Sequence, residues 1–264
     1  MTILETIIEK KKEEVALDKR RTSLITLEET DNFHRECYAL KDFLLDPNKT
    51  GIIAEFKRKS PSKGMINNLA SVSEVTTGYA KAGASAISVL TDTAFFDGFK
   101  RDLEEARKVN TLPILRKDFI VDEYQIIEAR SLGADIILLI AAVLSPERIS
   151  MLAKLAKDIG LSVLLEVHTR EELERSLCPE LDAIGVNNRN LDDFSVSVDT
   201  SFELLNLIPD QFLKISESGI SDPETIRQLK NAGFQGFLIG ETFMKEADPG
   251  KSMQNFVKAI HAGS

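Results

Sequence analysis

Glu55, Lys57 and Lys59 occupy every second position in IIAEFKRKSPSKG, residues 52–64. An extended strand alternates its side chains, so Glu55 and Lys57 project to one side. Opposite charges on one face, at the end of an apolar run, are costly unless paired or used. The same design recurs downstream. Lys117 ends LPILRK, Glu166 sits in LLEV, Asn187 and Arg189 in VNNR, Ser218 in SESG, and Glu241 in LIGE. Each alone reads as a solvated rim charge. Converging on one mouth, the carboxylates of Glu55 and Glu166, the ammoniums of Lys57 and Lys117, an amide and a hydroxyl suit proton transfer to and from an oxygen-rich substrate. Glu166, flanked by Leu164, Leu165 and Val167, is expected to carry a raised pKa for that work. Lys57 and Lys117 read as acids or ion-pair partners.

Those groups need a frame. Strand candidates lie at 52–57, 86–90, 112–117, 136–140, 162–167, 183–187, 213–217 and 236–239. Helical segments lie between them at 73–82, 99–109, 122–132, 146–159, 169–177, 202–207, 222–232 and 251–262. Glycines 83, 133, 160 and 233 mark helix ends. Continuous apolar strands alternating with helices imply a parallel sheet covered on both faces. Eight units predict an α/β fold, a single (β/α)8 barrel over 51–264, with chemistry at the C-terminal strand ends. No GxGxxG turn supports a doubly wound sheet instead. Residues 1–50 read as an N-terminal helical extension packed on the barrel: an amphipathic helix over 3–20, then a loop with one short helix near 33–45.

The last two strands carry a second signal. Ser218-Gly219 precedes a helix start at Ser221-Asp222-Pro223, and Leu238-Ile239-Gly240-Glu241 ends the final strand. Glycines let backbone N–H groups approach an anion, so Gly219, Gly240 and the N–H of Glu241 are expected to cradle a phosphate, with Leu238 lining the site. Ser60 and Lys59, in the loop after the first strand, are placed to close over it. Phe95, Phe96 and Phe119 either line a pocket for an aromatic ring or pack their loops.

Composition excludes several classes. Lys and Arg number 33 against 42 Asp and Glu, a net charge of −9, with no basic block. Nucleic acid is a poor partner, and any anion must be held locally. Cys37 and Cys178 stand in no motif and read as free thiols. The three histidines are scattered without metal spacing, and His168 reads as a cap for the helix starting at Thr169. No metal and no cofactor are expected. MTILETIIEKKKEEV lacks a signal-peptide core. The longest apolar run, residues 136–143, falls well short of the ~20 needed for a membrane span. A cytoplasmic, monomeric enzyme is expected.

IIAEFKRKSPSKG, LPILRKDFIVDEYQI, LLEVHTREEL, IGVNNRNL, SESGI and GFLIGE occur in the order of the indole-3-glycerol phosphate synthases of tryptophan biosynthesis, and the chain resembles that family over residues 1–262. The resemblance implies a metal-free barrel acting on 1-(2-carboxyphenylamino)-1-deoxyribulose 5-phosphate, with loss of carbon dioxide and water. It implies Lys117 as the general acid at the ribulose carbonyl and Lys57 facing the substrate carboxylate. Glu166, with Glu55, would serve the dehydration. Asn187 would orient a hydroxyl, with Arg189 beside it, and Ser218 would be the site serine. Gly219, Gly240 and Glu241 N–H would hold the phosphate, with Ser60 nearby. Some members carry Ser or Thr at the position of Glu241. The residues alone leave open a Schiff-base aldolase using a lysine, a sugar-phosphate isomerase, and a phosphometabolite-binding module.

Overall fold

The structure, a computed structural model, describes residues 2–191 and 194–262. The N-terminal segment is four helices: α1 (Ile3–Arg21), α2 (Leu24–Glu28), α3 (Asp31–His34) and α4 (Leu40–Leu44). The expected single short helix near 33–45 is therefore two, separated by an extended stretch. The break has a cause. Arg35 pairs with Asp135 and donates to the carbonyls of Gly133 and Ala134, while Tyr38 N–H donates to Asp135 Oδ1. The chain is pinned there to the end of another helix and cannot coil.

The strands and helices that follow are β1 (Ile52–Phe56), a small hairpin of β2 (Lys59–Ser60) and β3 (Gly64–Met65), α5 (Val72–Lys81), β4 (Ala86–Leu90), α6 (Thr93–Phe96), α7 (Lys100–Val109), β5 (Ile114–Lys117), α8 (Glu123–Leu132) and β6 (Ile136–Ile140). Then come α9 (Pro146–Asp158), β7 (Ser162–Val167), α10 (Arg170–Ser176), β8 (Ala183–Asn187), α11 (Asp199–Leu205), β9 (Leu213–Glu217), α12 (Pro223–Ala232), β10 (Gly236–Ile239), α13 (Glu241–Met244) and α14 (Pro249–Ala262). Eight parallel strands close in the order β1-β10-β9-β8-β7-β6-β5-β4.

Strand ends follow local chemistry. β5 starts two residues later than expected because Pro113 has no N–H to give a ladder; Ile114 N–H donates instead to Asp135 Oδ2. Helices α8, α10 and α12 begin just after Asp122, Thr169 and Asp222, whose side chains accept from the first turn. α14 starts at Pro249, two residues early, since proline costs nothing in a first turn. α11 starts at Asp199, whose N–H donates to Ser197 Oγ.

Two apolar layers hold the fold. Outward strand residues such as Ile137, Leu139, Val163 and Leu165 pack under the helices. Inward residues, among them Ile53, Leu115, Leu138, Leu164 and Ile215, fill the barrel, and α4 stoppers its lower end with Leu40 and Leu44. Burying such side chains contributes about 1.5–3 kcal/mol each. Among the described residues no helix is long and apolar enough to cross a membrane.

Candidate active site

The inward residues of one strand repeat every second position. Beyond Ile53 comes Glu55, beyond Leu115 Lys117, beyond Leu164 Glu166, and beyond Ile215 Glu217. These four belong to alternate barrel strands β1, β5, β7 and β9, which is how one layer of such a barrel is filled. The uppermost layer is therefore ionic where those beneath it are apolar.

Lys117 bridges it. Its Nζ donates to Glu166 Oε2 at 2.6 Å and to Glu217 Oε2 at 2.9 Å. Glu55 Oε1 instead takes the ammonium of Lys57 at 2.7 Å, the same-face pair expected from their spacing. Asn187 Nδ2 donates to Glu166 Oε1 at 3.1 Å, and Asn187 Oδ1 accepts from the Arg189 N–H.

The expected raised pKa of Glu166 is wrong. Burial does push it up, but Lys117 and then His168 outweigh burial and hold the carboxyl down at about 2. The raised carboxyl is Glu217. Burial lifts it, Lys117 lowers it, and the charges of Glu166 and Glu55 add to the rise; it titrates at about 7. Two carboxylates share one ammonium, and the less compensated one keeps a proton near neutrality. Burial lowers Lys117, yet Glu166, Glu217 and Glu55 together hold it above the ordinary lysine range.

His168 does not cap α10; Thr169 Oγ1 does, accepting from Glu172 N–H. The imidazole lies between Glu172, 3.2 Å from Nδ1, and Glu166, 3.4 Å from Nε2. Burial lowers its pKa, but Glu172 and then Glu166 raise it further than burial lowers it.

Above this layer lies a cleft with two ends. The more enclosed end, a cavity of about 160 Å³, is lined by Phe96, Phe119, Leu138, Ile140 and Leu191, and by Leu4 and Ile7 of α1. The Phe96 and Phe119 rings stand 6.1 Å apart; Phe95 is not in the lining. The open end, about 420 Å³, is lined by Lys63, Gly219, Ser221, Gly240 and Glu241. Glu55, Lys57, Arg189, Ser218 and Leu238 border both.

The open end is built of unusual backbone. Ser218 and Gly219 are both left-handed, φ 67° and 74°. For Ser218 that conformation costs of order 1–3 kcal/mol and must be held by its surroundings. Gly240 is required for a reason beyond turn formation: a Cβ there would collide with Glu55 Oε1. The side chain of Glu241 faces Lys63 at 3.6 Å and Arg189 at 3.8 Å.

All fourteen expected site residues border this cleft. Ser60 lines the enclosed end, whereas Lys59 does not contribute. The loop after β1 is tied down by Arg58, which pairs with Asp102 at 2.5 Å. Glu217, Leu4, Ile7 and Phe194 were not anticipated. Glu217 was readable: it stands two residues after Ile215 and four after Leu213, on the same inward period. Among the described residues no three of His, Cys, Asp and Glu are grouped to hold a metal ion.

A family model described as indole-3-glycerol phosphate synthase matches residues 4–256. An indole-3-glycerol phosphate synthase of Bacteroides thetaiotaomicron is 49% identical over 258 residues, covering 98% of each chain. That of Chromobacterium violaceum is 44% identical, covering 95% of this chain and 96% of its own. Among solved structures, a thiamine phosphate pyrophosphorylase from Pyrococcus furiosus overlays with a TM-score of 0.59 at 17% identity, covering 81% of this chain and 97% of its own. The 3-hexulose-6-phosphate synthase of Salmonella typhimurium gives 0.60 at 12%, covering 81% and 100%; both likenesses speak for the barrel alone. Sequence match along nearly the whole chain, with the ionic layer and two-ended cleft on the barrel, places this chain in the indole-3-glycerol phosphate synthase family.

Proposed function

We propose that the cleft closes the indole ring of 1-(2-carboxyphenylamino)-1-deoxy-D-ribulose 5-phosphate, yielding indole-3-glycerol phosphate, carbon dioxide and water in tryptophan biosynthesis. The observation that carries the assignment of roles is Lys117, buried between Glu166 and Glu217 on the wall of the enclosed end. The aromatic ring fits the enclosed end, against Phe96 and Phe119. The phosphate fits the open end, at the backbone of Gly219, Gly240 and Glu241, with Arg189 bordering it and Ser60 nearby in the loop after β1.

Ring closure forms a carbon–carbon bond between the carboxylate-bearing ring carbon and the ribulose ketone. The carbonyl oxygen gains a proton from Lys117 Nζ. An alkoxide is far more basic than an amine, so even a firmly held ammonium gives its proton downhill. Loss of carbon dioxide returns the bonding pair and restores the aromatic ring, so no cofactor electron sink is called for. Lys57 faces the substrate carboxylate. Dehydration then needs one proton delivered to the departing hydroxyl and one taken from the neighbouring carbon. Glu166, ionised, is suited to accept, with Glu55 across the same layer on β1. Glu217, protonated near neutrality, is suited to return a proton to Lys117, which then delivers it to the departing hydroxyl, the former carbonyl oxygen. Asn187 orients the hydroxyl and Ser218 shapes the turn beside it.

An ammonium fastened by two carboxylates supports an acid and not a Schiff-base nucleophile, which must be neutral. We propose further that the chain works without metal or cofactor, as a cytoplasmic monomer, on this small phosphorylated substrate and not on nucleic acid. Residues 1–50 and 51–264 act as one catalytic unit. The test is to mix protein, substrate and a chelator and follow indole fluorescence. Growth in proportion to enzyme supports the reading; a flat trace from folded protein that binds the substrate contradicts it.

A further inference from the structure

Lys11 stands on the buried stripe of α1, four residues after Ile7 and four before Val15. It is 1% exposed, while its neighbour Lys10 pairs in solvent. An isolated ammonium at such depth would be neutralised or expelled. Lys11 Nζ instead meets Asp118 Oδ1 at 2.9 Å, Asp92 Oδ2 at 3.0 Å and Glu14 Oε2 at 3.0 Å.

The two aspartates belong to different loops of the mouth. Asp92 follows β4, and its other oxygen accepts from Phe95 N–H to start α6, which carries Phe96. Asp118 directly follows Lys117. Its Oδ1 also accepts from Phe119 N–H, and its Oδ2 from Thr91 Oγ1 at 2.5 Å and Arg116 Nη2 at 3.3 Å. One ammonium therefore ties together the backbone corners that aim Lys117, Phe119 and Phe96. The same helix brings Leu4 and Ile7 to the enclosed end.

We infer that Lys11 is a positioning residue for the reaction: it fixes the spacing of the loops after β4 and β5, and so both the aim of Lys117 and the width of the aromatic end. This rests on the reading of Lys117 as the acid. A purely structural lysine, present only to balance Asp118, would affect stability alone.

The test compares four variants by kcat, KM and melting temperature. Lys11→Met removes the tether at similar shape and is expected to lower kcat by roughly 10²-fold through misplacement of Lys117. Asp92→Asn keeps the cap to Phe95 but weakens the tie to the Phe96 loop alone; it is expected to raise KM with kcat little changed. Val15→Ala, on the same stripe but packed toward Leu27, Tyr124 and Ile127, loosens α1 away from the mouth and is expected to lower the melting temperature with kinetics near wild type. Wild-type kinetics in Lys11→Met, or losses in Val15→Ala equal to its own at matched destabilisation, overturn the inference. Should Lys11→Met fail to fold, Asp92→Asn decides: raised KM supports the tether and unchanged KM overturns it. Lys117→Ala runs alongside; if it retains turnover, the role of Lys117 fails, an outcome distinct from failure of the tether.

Discussion

Lys117 holds Glu217 by one oxygen only. Nζ lies 2.9 Å from Oε2, while Oε1 is buried against Gly185 and finds no hydrogen-bond partner among the described residues. An unsatisfied buried carboxylate oxygen is costly, and protonation relieves that cost. The stability of the molecule and the availability of a proton at the mouth are thus coupled through one side chain.

Stability should report this coupling. The carboxyl of Glu217 titrates at about 7 in the folded chain against an ordinary 4.5. Below about pH 4.5 both folded and unfolded chains carry the proton, and folding is not penalised. As pH rises through 7 the unfolded chain has ionised freely while the folded one has resisted, so stability is lost. Glu217→Gln cannot ionise and keeps an acceptor for Lys117. Its melting temperature should exceed wild type by a few degrees at pH 8, with a smaller gain at pH 5, while turnover falls. A gain that does not grow with pH would contradict the assignment.

Gly185 makes room for that side chain. A Cβ there would collide with Glu217 Oε1. Gly185→Ala should displace the carboxyl and disturb Lys117, lowering kcat by roughly 10²-fold. The check is steady-state kinetics on protein shown to be folded by circular dichroism. Unchanged kcat would mean that the position of Glu217 is unimportant.

Glu241 places a carboxylate beside Lys63 and Arg189 at the proposed phosphate end. Glu241→Gln should release both cations toward the anion. Inorganic phosphate should then inhibit competitively at a concentration a few-fold lower than for wild type, with the advantage shrinking at high salt. Weaker inhibition would instead assign the carboxylate a supporting role in the cradle.

Much of this frame was legible in the sequence. Strands 86–90, 136–140, 162–167, 183–187, 213–217 and 236–239 matched residue for residue because apolar or alternating residues there are bounded by turns or glycine caps. Glu55 and Lys57 pair because period two puts them on one face, where opposite charges meet. Glu217 was read as the last residue of strand 213–217 but given no role, the role going to Ser218 beside it, although the inward period of β9 reaches it. The pKa of Glu166 was misread for a different reason. Its apolar sequence neighbours Leu165 and Val167 point outward, and what governs it is an ammonium 49 residues away. Likewise the amphipathic reading of residues 3–20 did not single out Lys11, though it lies at i+4 from Ile7 on the buried stripe. Distances between strand ends, not strand patterns, decide charge states, and a single sequence does not contain them.

The most direct measurement is turnover and substrate affinity of Lys117→Ala by indole fluorescence, with a chelator present. The expected result is a kcat lower by about 10²–10⁴-fold, with affinity changed far less, because the lost proton donor acts on the transition state and not on the bound substrate. Near-full turnover would contradict the account, since no other group in the ionic layer stands between both Glu166 and Glu217.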